Sequence, residues 1–178
     1  KEDADVVFLQ EVDRDSKRSY GIDELEKITS SLDGYNSTFA RNYKVAYVPY
    51  PLPTIGKVDC GIATLSAFSV DDSQRISLPY PFKYPIRLGN LKRCLMVDRV
   101  AIEGSDKELV LVNLHLEAYD DGEGKAAQTK QLRKLLQEEA EKGNYVIAGG
   151  DFNQAFSNYD NSAYPLVSED MWTPGVID

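Results

Sequence analysis

Three near-continuous apolar runs do most to limit what this chain can fold into. They are VVFLQE (Val6–Glu11), ELVLVNLH (Glu108–His115) and YVIAGGDFN (Tyr145–Asn153). Short runs this rich in Val, Leu, Ile and Phe suit strands buried on both faces. Each run also ends on residues suited to metal or phosphate chemistry. In layered α/β folds, sites lie where such strands give way to loops. The pattern predicts that Glu11, His115, Asp151 and Asn153 come together at one edge of a sheet, in the outline of a hydrolytic site.

The segments between the runs fill in an α/β chain. Ile22, Leu25, Ile28 and Leu32 recur at helical spacing, with Gly34 as the stop, and predict a helix over about 22–32. YNSTFA (Tyr35–Ala40), KVAYVPY (Lys44–Tyr50) and DCGIATLSAF (Asp59–Phe68) have the β-branched and aromatic content of strands. The Pro- and Tyr-rich stretch from Ser77 to Gly89 reads as a surface excursion. Leu91–Ile102 is a long strand that turns through Gly104–Lys107 into the second apolar run. That hairpin makes the sheet mixed rather than purely parallel. Leu132, Leu135, Leu136 and Ala140 form one stripe of a helix over Gln128–Ala140, closed by Gly143.

The chain has 178 residues, enough for one domain with a substantial core, and it shows no repeat or linker. No apolar stretch approaches the ~20 residues that a membrane-spanning helix needs. A net charge of −9 argues against broad binding of long nucleic acids, which calls for a basic surface. It tilts the expected partner toward a small or lipid-like phosphate ester, and a monomer is expected. Cys60 and Cys94 both fall in strand-like segments. Two cysteines make no disulfide framework, so they are expected as buried free thiols, which leaves the redox compartment open.

Residue by residue, Glu11 closes a strand whose preceding side chains are almost all apolar. A carboxylate there is solvated, paired or bound to a cation, because burying it alone would be costly. Mg²⁺ or Mn²⁺ suits such a hard oxygen donor, and a strand-end Glu pointing into water is the plainer alternative. His115 is the only histidine. With an ordinary pKa of about 6.5, it is the natural group to hold or protonate a phosphate oxygen. Asn113 is expected on the same strand face. Asp151 could orient a water or bind metal, and the Asn153 amide could donate to a phosphoryl oxygen. An Asx-type turn is the competing reading of this Gly-Asp-Asn cluster. Asp120, Asp121 and Glu123 read as a solvated acidic loop, with a second cation site as a distant alternative. Lys92 and Arg93 could meet a phosphate, though basic residues at strand ends usually face water. Tyr43 and Tyr47 read as core or rim packing.

Taken in order, DVVFLQEVD around Glu11, CGIATLS around Gly61 and Ser66, VNLHLEA around His115 and GGDFN around Asp151 resemble the endonuclease/exonuclease/phosphatase superfamily. These are the deoxyribonuclease I-like metal-dependent phosphoesterases. A helix carrying Gln131 between the last two strings fits the same layout. The resemblance implies a four-layer sandwich of two packed mixed β-sheets with helices outside. It also implies a Mg²⁺- or Mn²⁺-dependent phosphoric ester hydrolase with a water nucleophile. In that scheme Glu11 and Asp151 serve the metal, His115 contacts the scissile phosphate, Asp151 activates or orients the water, and Asn153 holds a phosphoryl oxygen.

Residues 1–178 depart from the family pattern in several places. Members supply a metal-site Asn from a strand upstream of the QE strand and end on a Ser-Asp-His segment; neither occurs here. Gln128 and Ala67 stand where many members carry Arg. The resemblance therefore predicts one domain over residues 1–178, incomplete at both ends, whose isolated segment is inactive and prone to aggregate. The competing functional class is a catalytically inactive relative that binds a partner through the same face.

Overall fold

The computed structural model describes residues 4–119, 122–158, 160, 162, 168 and 171–177. Two antiparallel-rich sheets form its centre. The first is built from β1 (Val6–Asp13), β2 (Asn36–Val48) and β3 (Gly56–Ser66), in the order β1-β3-β2. The second is built from β4 (Asp72–Ser77), β5 (Cys94–Ala101), β6 (Glu108–His115) and β7 (Tyr145–Asp151), in that order. The β5–β6 hairpin is antiparallel and β6–β7 is parallel, so this sheet is mixed as the sequence implies. Helix α2 (Glu123–Glu141) makes the crossover between β6 and β7. Short strands β8 (Gln154–Phe156) and β9 (Gly175–Ile177) form a separate parallel pair.

Side-chain alternation sorts the chain into four layers. Val110, Val112 and Leu114 of β6 pack with Leu95, Val97 and Leu132 beneath α2. The alternate residues Asn113 and His115 therefore face the other sheet. From that opposing sheet, Ala40 and Ile62 meet Cys94 and Met96. On the far side of the first sheet, Val12, Ala63 and Leu65 pack with Leu25, Ile28 and Leu32. These last come from α1 (Glu24–Thr29) and the turn that follows it. Helix, sheet, sheet and helix thus stack in the expected four-layer sandwich. Among the described residues no helix is long and apolar enough to cross a membrane. Cys60 and Cys94 are buried and free, and burial pushes the Cys60 thiol up to about 11.

Several elements differ from the sequence reading. α1 is shorter than the expected helix because hydroxyls compete for its carbonyls. Thr29 donates to Leu25 O, and Ser30 and Ser31 both donate to Lys27 O. The two strands expected over Tyr35–Tyr50 are one strand, with its register shifting between Arg41 and Tyr43. Strand β4 was hidden in sequence because DSQRIS is an exposed edge segment with no apolar alternation. α2 begins at Glu123, five residues before the first residue of the apolar stripe's expected helix. Asp120 and Asp121 lie outside the described residues.

One charged residue of α2 escapes the polar face. Glu139 is only 1% exposed and receives Arg99 Nη2 at 2.7 Å, Lys142 Nζ at 2.7 Å and Asn144 Nδ2 at 2.6 Å. Arg99 above all holds this carboxyl down at about 2, against an ordinary 4.5. The folded-state value is depressed, so the stabilisation is present above the unfolded value and is lost as pH falls toward 2. Glu139→Gln is expected to lower unfolding free energy by about 3 kcal/mol near neutral pH. The difference from wild type should shrink by about pH 3. Urea unfolding at the two pH values checks it, and an equal difference at both would refute the linkage.

Candidate active site

The register of β6 against β7 sets His115 directly beside Asp151. Partners in register share a face, so both side chains point toward the first sheet. His115 Nε2 lies 3.5 Å from Asp151 Oδ2. Two glycines make this closeness feasible. A Cβ at Gly149 would press on the Phe8 ring, and one at Gly150 would overlap the Leu114 carbonyl oxygen. Gly150 also has φ +137°, a conformation that L side chains rarely adopt. The GG pair is therefore a steric requirement of the strand that presents Asp151.

His115 is 3% exposed. Burial, and then the nearby Arg93 charge, lower its pKa to about 4, while Asp151 works the other way. At neutral pH the ring is uncharged, with one N–H and one lone pair. Asp151 opposite Nε2 favours the proton on that nitrogen. Nδ1 is buried and, among the described residues, has no hydrogen-bond partner. The expected role as a proton donor near neutral pH therefore narrows to hydrogen-bond donation by the neutral ring.

Asp151 Oδ1 accepts from the Asn153 backbone N–H at 2.8 Å, so the Asx-type turn exists. The turn does not displace the side chain from the site, because Oδ2 remains on the His115 side. Asn153 has φ +51°, so the extended geometry expected for Asp151 and Asn153 fails after β7. Its side chain is held instead by donation from Nδ2 to Leu116 O at 2.8 Å.

Glu11 sits on a bulge of β1, where the pairing with β3 shifts between Leu9 and Val12, and has φ +56°. Glu11, Tyr20 and Asn153 are the described non-glycine residues with positive φ, and two of the three are candidate site residues. Strain of about 1–3 kcal/mol at such positions is typical where surrounding structure fixes a functional geometry. The Glu11 carboxylate is 57% exposed and 3.9 Å from Arg18 Nη1. Gln10, its neighbour, donates to Asn113 Oδ1 at 2.9 Å. Asn113 in turn donates to Leu9 O and Ala63 O, stitching β1 and β3 to the strand that carries His115.

Among the described residues no three or more Asp, Glu, His or Cys side chains converge as a ready cation cage. Mg²⁺ and Mn²⁺ need no such cage, since they take one or two carboxylates and keep several waters. Glu11 and Asp151 are carboxylates of that donor type.

Arg93, which the sequence reading set aside, acts electrostatically on His115. It does not face water: it is 4% exposed and lies 3.7 Å from Glu117 Oε2, itself 2% exposed. Among the described residues its Nε and Nη1 have no hydrogen-bond partner. Glu117 Oε1 accepts from Ala118 N and Tyr119 N, while Gln128 Oε1 accepts from Glu117 N. Gln128 thus acts as an anchor for the His115 strand end, joined also to Pro79 O. The sequence signal was Glu117 itself, a carboxylate that continues an apolar strand and so demands a cation.

The sequence profile described as "Endonuclease/Exonuclease/phosphatase family" matches residues 1–166. Solved structures share the fold at low identity. The human Nocturnin catalytic domain is 22% identical, with a TM-score of 0.55 over 89% of this chain and 52% of its own. TDP2 from Caenorhabditis elegans is 19% identical, with a TM-score of 0.57 over 93% and 40%. ANGEL2, a 2',3'-cyclic phosphatase, is 23% identical, with a TM-score of 0.58 over 86% and 40%. The chain therefore spans about half or less of the length of these neighbours. No curated protein sequence matches it. With a profile match over nearly its whole length and the matching sandwich fold, the chain belongs to the endonuclease/exonuclease/phosphatase family.

Proposed function

We propose that this chain forms part of a Mg²⁺- or Mn²⁺-dependent phosphoesterase that cleaves a phosphate ester by direct attack of water. The observation that carries the reading is the β6–β7 register, which holds neutral His115 3.5 Å from Asp151. Asp151 would orient the attacking water and draw off its proton. His115 would donate from Nε2 to a phosphoryl oxygen as charge builds there, and no proton need be lost from the ring. Nδ2 of Asn153, already fixed by Leu116 O, has a second hydrogen to offer the same phosphoryl group. The buried Arg93 would add positive potential without exposing a mobile cation. Glu11, with Asp151, would hold the metal. When bound, a divalent ion supplies Lewis-acid polarisation of the phosphoryl oxygens and stabilises the leaving oxygen.

The test is hydrolysis of an activated aryl phosphodiester by the full-length protein. Turnover is expected with Mg²⁺ or Mn²⁺, to fall to background with chelator, and to return when metal is added back. Turnover indifferent to chelator would overturn the metal role. A folded, metal-loaded protein that turns over no phosphate ester would overturn the hydrolase reading and favour a binding role for this face.

A further inference from the structure

A concavity of about 420 Å³ differs in charge from the rest of this acidic chain. Arg41, Lys44, Arg75, Arg87 and Lys92 line it, and among the described residues no carboxylate does. All five cations are exposed. Asp59, set behind the wall, answers two of them: Arg41 Nε at 2.5 Å and Lys44 Nζ at 3.4 Å. Arg75 is fixed by three neutral acceptors, namely Arg41 O at 2.8 Å, Lys92 O at 3.0 Å and Ser77 Oγ at 2.7 Å. Its geometry is set and its charge is left uncompensated. Arg87 and Lys92 have no ion-pair partner among the described residues.

This is an ordered pocket rather than a loose tuft of basic side chains. Tyr43 donates to Leu88 O at 2.7 Å, and Tyr80 donates to Arg87 O at 2.7 Å. Together they pin the Arg87 loop against β2. Asn42 closes the wall, buried, with its amide nitrogen unpartnered among the described residues. Ordinary surfaces intersperse the two signs. A concave patch of one sign raises the local concentration of the opposite ion. Arginine forks match phosphate oxygens in pairs. A cavity of this size is ample for a phosphate with part of what carries it.

Position ties the pocket to the site. Lys92 lines the pocket, while the next residue, Arg93, is buried within electrostatic reach of His115. The pocket and the candidate site are thus linked through consecutive residues of the segment leading into β5, whose Leu95 pairs with Leu114 of the strand that carries His115. We propose that this pocket binds a phosphate group of the substrate other than the one that is cleaved, so that the preferred substrate carries at least two phosphates. The proposal rests on the hydrolase reading above. Net charge alone does not report this grouping, because it sums over the whole chain.

Calorimetry with inorganic tripolyphosphate, in metal-free buffer, tests the pocket without turnover. The full-length protein is expected to bind it, Arg87→Ala/Lys92→Ala to bind at least tenfold more weakly, and Asp151→Ala to bind as wild type. Equal binding by the double variant, or loss confined to Asp151→Ala, would overturn the pocket. A short single-stranded oligonucleotide forms a second arm. Its loss of affinity in the double variant would assign the second phosphate to a nucleic-acid backbone, and an effect on tripolyphosphate alone would assign it to a small polyphosphorylated compound. Kinetically, the double variant should lose at least tenfold more kcat/KM on a substrate with two phosphates than on the simple aryl diester. An equal loss on both would overturn the substrate role. Pocket binding intact in a protein that hydrolyses neither compound would overturn it through the hydrolase reading and not through the pocket.

Discussion

Asp151→Asn is expected to lower kcat/KM for an activated phosphodiester by about 10³-fold, the middle of the range for removing a positioned general base. Asparagine nearly matches aspartate in size and keeps an oxygen that can accept from the Asn153 backbone N–H, so the turn after β7 survives. What it loses is the negative charge 3.5 Å from His115 Nε2 and the basicity to take a proton from water. The side chain is half exposed, so unfolding free energy should change by less than about 1 kcal/mol. Asp151→Ala should lose as much activity and also release the Asn153 amide. Activity retained in Asp151→Asn but lost in Asp151→Ala would mean that the residue serves the turn, not the chemistry. Parallel urea unfolding of each variant keeps a folding defect from passing as a catalytic one.

The central layers were legible because burial on both faces leaves a period-free apolar run, and three such runs are β1, β6 and β7. The same logic found α2 from its stripe of leucines. What escaped was held by polar contacts that no periodicity reports. Strand β4 is polar and mostly exposed, and it joins the sheet through its backbone pairing with β5. Arg93 and Glu139 look like surface charges in sequence, yet each is buried against a partner supplied by another element: Glu117 for the first, Arg99 for the second. At the site, strand ends predicted that four residues come together, and the structure sets His115 beside Asp151. The shared face expected for Asp151 and Asn153 failed at Asn153, where the backbone turns left-handed. Net charge is limited for a related reason: it sums over the surface and does not report five cations collected in one pocket.

Arg93→Met is expected to reduce kcat/KM by about 10²- to 10³-fold, the loss typical of one preorganised charge-stabilising donor. The pair is unbalanced. Glu117 has its own backbone donors, Ala118 N and Tyr119 N, but among the described residues Arg93 donates no hydrogen bond from Nε or Nη1 and faces Glu117 at 3.7 Å. A salt bridge kept only for stability would close that gap, since unsatisfied buried donors are expensive. The open donors are instead retained within electrostatic reach of His115, where a phosphoryl oxygen would gain from them. Arg93→Met alone strands the Glu117 carboxylate and should cost about 3 kcal/mol of stability. Adding Glu117→Gln removes the stranded charge and should recover most of that loss. Turnover is expected to stay low in the double variant even as stability returns. If turnover recovers together with stability, Arg93 is a structural partner of Glu117 and contributes nothing of its own to the chemistry.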